Sequence, residues 1–188
     1  MLEKIKDMPS IDLTPRQLCD LELMMNGGFA PLTGFLGEED YNSVVETMRL
    51  TSGALWPIPI TLDISDALAE TLTLGAQAVL RDQEGVPLAV IDVEEMYRPD
   101  KHREAEMVYG ADDEAHPAVR YLHHQTGPVY LGGAVTGIDE PVHYDYRQHR
   151  YTPNDLRRMF HKWGWRKVVA FQTRNPLHRA HVELTVRA

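Results

Sequence analysis

The stretch KVVAFQTRNPLHRAH, residues 167–181, decides the fold of the C-terminal part of the chain. It begins with a predicted short strand over 167–171, in which four apolar residues follow Lys167; such a run is typical of a strand buried on both faces of a parallel sheet. The polar loop QTRNP follows, and a helix is predicted from about Leu177. Upstream, Thr152 precedes a proline and predicts a helix that ends at Gly164. Helix, strand, loop and helix in this order predict the opening of a doubly wound α/β domain.

Short strands dominate the sequence before this unit. The clearest pattern is a hairpin over residues 76–93, in which AQAVLR and VPLAVIDV flank a turn. The run LWPIPITLDI at 55–64 predicts an edge strand, because its prolines cannot donate to a central ladder. The run GPVYLGGAVTGI at 127–138 is broken by glycines and predicts strand–turn–strand. FAPLTGFLG at 29–37 is apolar but rich in turn residues, so we predict a packed loop there.

Helices are predicted among these strands. Thr14 and Gln17 form a capping box at the start of a helix that closes at Asn26-Gly27-Gly28. Further helices are predicted at 38–48, within 98–114 and at 116–124. We therefore expect an α+β protein with a mixed β domain over 1–146 and the beginning of an α/β domain over 147–188.

The second of these domains is expected to be truncated. A lone strand with two flanking helices cannot bury both of its faces. We therefore expect residues 1–146 to fold independently and residues 147–188 to be only marginally ordered unless something covers the strand.

The composition is that of a soluble globular protein, with 43% hydrophobic and 25% charged residues, which argues against a disordered chain. No apolar run approaches the length of a membrane span, and the N-terminal residues MLEKIKDMPSID contain no secretory signal. Cys19 is the single cysteine, which excludes an internal disulfide framework and a multi-cysteine zinc site. The expected compartment is the cytoplasm.

Charge divides the chain. Residues 1–146 carry nine basic and 26 acidic side chains, a net charge of −17, whereas residues 147–188 carry ten basic and two acidic ones, a net charge of +8. The acidic majority argues against a nucleic-acid or membrane surface binder. The basic tail is interpreted in two ways: as one of two solvated faces that balance each other, or as a segment that handles an anion.

The loop QTRNP and the start of the following helix concentrate the candidate site residues. The N-terminus of a helix offers unpaired N–H groups to an anion. Arg174 supplies a fork of donors for an oxyanion, and Gln172 and Asn175 supply neutral donors. His178 and His181 are three residues apart and so share one face of the first turn. Together these five side chains predict a polyanion site.

Simpler interpretations exist for each residue. A lone arginine in a loop is usually solvated, Asn-Pro is a common turn pair, and two helical histidines are often surface or capping residues. The histidine pair also suggests a metal site, but no third ligand lies near it in the sequence and no catalytic glutamate follows the HExxH pattern. The combination at the end of a predicted strand favours anion binding over these alternatives, and we predict no protein-bound metal there.

QTRNPLHRAH resembles the signature of the ATP sulfurylase (sulfate adenylyltransferase) family, in which a QxRN element precedes an HxxH element. GFAPLTGFLG and WGWRKVVAF also resemble stretches of that family. The resemblance covers essentially the whole chain. It implies a PUA-like pseudo-barrel domain followed by the start of a Rossmann-like catalytic domain. The family's later nucleotide segment of the GRDHAG type does not occur in these 188 residues, so activity of this stretch alone is not implied.

The resemblance implies that ATP and sulfate are converted to adenosine 5′-phosphosulfate and pyrophosphate. Gln172 and Arg174 would hold sulfate, and Thr173 and Asn175 would contact the α-phosphate together with Gln172. His178 and His181 would steady the β- and γ-phosphates, with Mg²⁺ carried by ATP and no prosthetic group. Thr173, Arg174 and Asn175 are the expected catalytic residues. A homo-oligomer is expected for the full-length protein.

Two rival functions remain open on the sequence. One is another adenylyltransferase with a histidine pair on this helix, which Arg174-Asn175 ahead of the pair disfavours. The other is a PUA-like RNA-binding module, which the negative charge of residues 1–146 disfavours because phosphate contacts need lysine and arginine.

Overall fold

A computed structural model describes residues 5–188. The chain divides into two compact units, Met1–Arg147 and Gln148–Ala188, and the architecture is mixed α+β. Within the described residues, no helix is both long and apolar enough to cross a membrane.

The first unit is built on a seven-stranded sheet. Its strands are β1 Ser10–Asp12, β2 Gly34–Phe35, β3 Leu62–Ile64, β4 Gln77–Arg81, β5 Pro87–Asp92, β6 Glu95–Tyr97 and β7 Val129–Gly137. Its helices are α1 Pro15–Met25, α2 Glu38–Thr47, α3 Asp66–Ala69, α4 Lys101–Tyr109 and α5 Pro117–His124.

Strand β7 organises this sheet. The main path runs β1-β4-β5-β7-β2, and β3 and β6 also pair with β7. The first half of β7 pairs with β3 and β6, and its second half pairs with β2 and β5. Except for the parallel pair β1–β4, these pairings are antiparallel. By changing neighbours along its length, β7 curls the sheet into a half-barrel.

The strand–turn–strand prediction for residues 127–138 is wrong, because β7 runs through Gly132 and Gly133 without a turn. Gly133 lies opposite Phe35 of β2. A Cβ atom on Gly133 would lie 1.8 Å from the carbonyl oxygen of Asp92, and its φ is +157°. The glycine therefore allows strands to approach closely where β7 changes neighbours, which a sequence pattern does not distinguish from a turn.

Two further predictions in this unit are corrected in detail. Of the run 55–64, only Leu62–Ile64 forms a strand, since the two prolines keep the preceding residues out of the ladder. The packed loop 29–37 contains the two-residue strand β2. The predicted hairpin is confirmed as β4 and β5, and the helices predicted near 38–48, 98–114 and 116–124 are confirmed as α2, α4 and α5.

The core lies between the curled sheet and α1. Leucine and isoleucine side chains fill it, and several are fully inaccessible to solvent: Leu21, Leu62, Leu80, Ile91 and Leu131.

The start of α1 is set by the predicted capping box. The backbone N–H of Gln17 donates to Thr14 Oγ1 at 3.3 Å, and the backbone N–H of Thr14 donates to Gln17 Oε1 at 2.9 Å. The sequence of α1 thus orients its buried face towards the sheet.

The second unit contains helices α6 Pro153–Trp163 and α7 Arg179–Arg187. Both predicted helices are confirmed. Thr152 and Asp155 form a capping box at the start of α6, with the Asp155 amide donating to Thr152 Oγ1 at 3.1 Å. Gly164 ends α6 in the left-handed region, with a φ of +70°.

The strand predicted at 167–171 is not formed, and the described residues between α6 and α7 have no regular secondary structure. Val168 and Val169 are exposed rather than buried. A strand is stabilised by a neighbour that pairs with its backbone, and the described part of the second unit contains no other strand. The apolar run therefore has no ladder to join in this unit.

Candidate functional site

The candidate site residues lie in the loop before α7 and in its first turn. His178 is the N-cap residue of α7, with extended backbone, and its side chain forms no capping hydrogen bond. The carbonyl oxygen of His178 accepts the amides of His181 and Val182 at 2.9 and 3.2 Å, which starts the helix. The free N–H groups of this first turn belong to the end of a helix that favours anions.

The two histidines are brought together. Their rings stack with centroids 3.7 Å apart and planes inclined by 29°. Phe171 packs against the ring of His181 at 5.4 Å. Nδ1 of His181 is buried and has no hydrogen-bond partner among the described residues. A buried polar atom without a partner is unusual in a folded protein.

Thr173 and Asn175 form a small turn within the loop. The Asn175 amide donates to Thr173 Oγ1 at 3.1 Å, and that hydroxyl donates to the carbonyl oxygen of Asn175 at 3.2 Å. The Thr173 side chain thus holds the turn between Gln172 and the start of α7.

Gln172 and Arg174 are exposed. Within the described chain, neither side chain forms a hydrogen bond or ion pair with the histidine pair or with the Thr173 turn. The structure therefore pairs the two histidines and orders the turn, whereas convergence of all the polar side chains on one ligand stays a prediction.

The surroundings of this loop are positively charged. The acidic side chains of residues 147–188 are both engaged: Asp155 pairs with Arg158, and Glu183 pairs with Arg187 at 3.2 Å. Hydrogen bonds from Thr152, together with Arg158, lower the pKa of Asp155 from its ordinary value. The carboxylates are therefore used within their own helices, and the excess of basic residues gives the segment a positive field at neutral pH.

Phe171 was not predicted as part of this site. The apolar run predicts it at the end of a buried strand, but in the structure it contacts His181 and is 39% exposed. Its position directly before the polar loop is the signal that identifies it.

Comparison with known proteins extends this picture to the whole chain. Residues 1–140 match the family model of a PUA-like domain. Residues 147–188, which include all of QTRNPLHRAH, match the family model described as ATP-sulfurylase. The chain belongs to the PUA-like domain family over residues 1–140, and residues 147–188 are similar to ATP-sulfurylase. The resemblance inferred from the sequence is thereby confirmed.

Curated relatives carry a matching name. A sulfate adenylyltransferase of Candida albicans is 52% identical to this chain, and the match covers 100% of the chain. One of Phaeosphaeria nodorum is 56% identical, and the match covers 96% of the chain. The chain spans 38% and 32% of those two relatives, respectively. Among solved structures, a protein described as a hexameric APS kinase from Thiobacillus denitrificans matches with a TM-score of 0.76 and 31% identity, covering 100% of this chain and 33% of that one.

Proposed function

We propose that this chain is part of a sulfate adenylyltransferase that joins sulfate to the adenylyl group of ATP. The support comes from the motif at 172–181, which lies at the start of α7 in a basic segment and within the region that matches the ATP-sulfurylase model. The names of the curated relatives point to the same reaction. Because the chain spans about a third of those relatives, the activity is proposed for a chain of their length.

The chemistry suits a site without a general base. Sulfate is ionised at neutral pH, so one of its oxygens attacks the α-phosphorus of ATP without losing a proton. The bond from the α-phosphorus to the oxygen bridging the β-phosphate breaks, and pyrophosphate leaves with the bonding electrons. The task of the protein is to hold two anions in line and to stabilise the charge that develops.

The loop residues are assigned to the reacting end. Arg174 and Gln172 hold sulfate, because a guanidinium fork and an amide donate to several oxyanion oxygens at once. Thr173 and Asn175, with Gln172, contact the α-phosphate. The hydrogen-bonded turn of Thr173 and Asn175 supports this assignment, since it keeps the backbone of the loop in one conformation.

The histidine pair is assigned to the leaving pyrophosphate. The unpartnered Nδ1 of His181 supports this, because a phosphate oxygen or its water would satisfy it. Mg²⁺ is treated as part of the substrate, MgATP. No aspartate or glutamate occurs in 172–181, so this segment offers no carboxylate to the ion.

The architecture of the longer protein is part of the same proposal. We place a PUA-like domain at 1–146 and the beginning of a Rossmann-like catalytic domain at 147–188, in which the run 167–171 would pair with further strands. A cytoplasmic homo-oligomer is proposed, and the hexameric description of the structural relative supports the oligomer.

Arg174→Lys tests the sulfate assignment in a chain of the relatives' length. Lysine keeps the charge but loses the planar fork, so we expect kcat/KM for sulfate-dependent pyrophosphate release to fall by about 100-fold or more, some 3 kcal/mol of transition-state stabilisation. Arg187→Lys is the matched control, because Arg187 pairs with Glu183 in the last turn of α7, away from the loop that carries Arg174. Near wild-type turnover by Arg174→Lys would remove Arg174 from the site.

His178→Ala and His181→Ala separate binding from packing. If the pair holds the pyrophosphate end, each variant lowers kcat with little change in melting temperature. If one of them only packs the helix, its loss lowers the melting temperature and leaves kcat nearly intact. His149→Ala is the control, since His149 lies outside the motif in the 3₁₀ turn Arg147–His149.

A further inference from the structure

Three potential metal ligands meet on the helical hairpin of the first unit. His102 lies in the first turn of α4, Asp112 in the loop between α4 and α5, and His123 in the last turn of α5. Nδ1 of His102 lies 2.5 Å from Oδ2 of Asp112, and Nε2 of His123 lies 2.5 Å from Oδ1 of the same carboxylate. The three ligand atoms all lie within 4.8 Å of one another, and the imidazole centroids are 4.9 Å apart.

The elements that carry these ligands are held in place by apolar packing. Ala105 of α4 packs with Val119 and Leu122 of α5, and all three are almost fully buried. A site built on packed helices keeps its ligands in register better than one built on loops alone. Only Asp112 comes from the connecting loop, and both of its oxygens face a ring nitrogen.

The cluster is accessible from solvent. The His102 side chain is 80% exposed, that of Asp112 25% and that of His123 14%. An ion can therefore enter from the side of His102, and water can complete its coordination. The cluster lies in the first unit, outside the segment assigned to adenylyl transfer.

We propose that His102, Asp112 and His123 form a binding site for a divalent transition-metal ion, with Zn²⁺ as the best match. Two imidazole nitrogens and one carboxylate oxygen are a ligand set that zinc accepts and that magnesium and calcium do not favour. Zinc–ligand bonds of about 2.0–2.2 Å require ligand atoms about 3.3 Å apart, so each His–Asp contact opens by less than about 1 Å and the two ring nitrogens approach by at most about 1.5 Å.

The bound ion joins two helices and their loop. His102 and His123 are 21 positions apart in the sequence. Without an ion, the hydrogen bonds that link them run through the Asp112 carboxylate. An ion that binds these three side chains only in the folded state stabilises that state against unfolding, and this is the role proposed for the site. This role does not depend on the proposed adenylyl transfer.

The hairpin also supplies a matched control. His124, next to His123, pairs with Glu114 at 3.0 Å, and both side chains are more than half exposed. This pair has the same chemistry as the cluster but lacks a third ligand. His178 and His181 form a second imidazole pair that would also attract zinc. Both are therefore replaced by glutamine in every protein used for the titration.

The test is a calorimetric titration of the untagged 188-residue chain with Zn²⁺ alone, in a His178→Gln/His181→Gln background. We expect one site whose affinity falls at least about 10-fold in His102→Gln and in Asp112→Asn. His124→Gln should change it less than twofold, and Mg²⁺ should not compete. Because His102 is largely exposed, His102→Gln should leave the far-UV circular dichroism unchanged, so the loss of binding is not a loss of fold.

A second readout uses Co²⁺, whose visible absorption changes when imidazole nitrogens replace water. The wild-type spectrum should change on Co²⁺ binding, and the change should disappear in His102→Gln but persist in His124→Gln. Equal zinc affinity in wild type and His102→Gln would overturn the proposal, as would an equal loss in His124→Gln. Either result would leave the cluster as a hydrogen-bonded Asp–His group, whatever the outcome of the sulfate assay.

Discussion

The two units of this chain differ in how their structure is held. In Met1–Arg147, side chains from most strands and from α1 are buried together in one large apolar cluster, and two smaller clusters are buried as well. In Gln148–Ala188, neither α6 nor α7 has a buried residue, and large apolar side chains such as Trp165 and Val169 are exposed. The first unit is stabilised by long-range packing, whereas the second is ordered by local interactions such as helix caps.

The buried core that stabilises the fold and the residues proposed to bind substrates therefore lie in different units. The residues proposed to bind sulfate and ATP all belong to the unit without a core of its own. In the full-length relatives that unit is only part of the protein, since this chain covers 32–38% of them. The motif QTRNPLHRAH therefore carries a clear similarity to ATP-sulfurylase, while few contacts within these residues hold its side chains in place.

The largest effect is expected from shortening a core side chain. Leu131 of β7 is fully buried, so Leu131→Ala should lower the free energy of unfolding by about 2–5 kcal/mol, because it removes apolar contacts and leaves a cavity. The matched variant in the second unit is Val186→Ala, at a side chain that is 78% exposed, and it should change that free energy by less than about 0.5 kcal/mol. Urea unfolding followed by far-UV circular dichroism measures both. Equal losses would mean that the second unit is packed in solution.

Local signals were sufficient to predict much of the fold. The capping boxes at Thr14 and Thr152 place the starts of α1 and α6, because each depends on residues three positions apart. The hairpin at 76–93 was predicted for the same reason, since its two strands and its turn are adjacent in the sequence. The QTRNPLHRAH motif was recognised because its residues are contiguous.

Features that depend on distant partners were missed. The unbroken path of β7 depends on the close approach of Asp92 to Gly133, which the sequence of β7 alone does not contain. The run 167–171 has the composition of a strand but no partner strand in the described residues. The cluster of His102, Asp112 and His123 has spacings of ten and eleven residues, which match no familiar ligand motif, and it forms because α4 packs against α5.

Glu104 is a buried polar residue whose burial the sequence pattern does not predict either. Its side chain lies among tyrosines of the first unit, where Tyr41 Oη donates to Oε2 at 2.8 Å and Tyr130 Oη donates to the same oxygen at 3.2 Å. Burial raises the pKa of Glu104 above its ordinary value of 4.5, although these two hydrogen bonds act in the opposite direction. The folded state therefore holds this proton more tightly than the unfolded state does.

The consequence is a pH dependence that belongs to the core. The stability contributed by protonated Glu104 is fully present below the unfolded pKa and is lost as pH rises from about 4.5 through the higher folded value. The difference in unfolding free energy between wild type and Glu104→Gln should therefore fall with rising pH, by at most about 1.4 kcal/mol per pH unit for one proton. Urea midpoints between pH 4 and 8 measure it.

An exposed carboxyl provides the control for this experiment. A hydrogen bond with His124 lowers the pKa of Glu114, so its contribution is present above the unfolded pKa and is lost as pH falls. The difference between wild type and Glu114→Gln should therefore change with pH in the opposite direction and be small, because the pair is exposed. Parallel pH curves for wild type and Glu104→Gln would show that Glu104 is not the buried acid described above.

The smallest effect concerns two nearly identical helix starts, one in each unit. Thr14 and Thr152 each cap a helix that has proline in its first turn, and removing such a cap costs about 1 kcal/mol. Helix α1 is fixed to the core through fully buried Leu21, so Thr14→Ala should shift the main unfolding transition by that amount. Helix α6 has no buried residue, so Thr152→Ala should leave the main transition in place. It should instead speed amide exchange near Leu156 about fivefold, because the same loss of about 1 kcal/mol then lowers the free energy of local opening. If Thr152→Ala moved the main transition as far as Thr14→Ala does, the second unit would have to unfold together with the core, and the contrast between the two units would not hold.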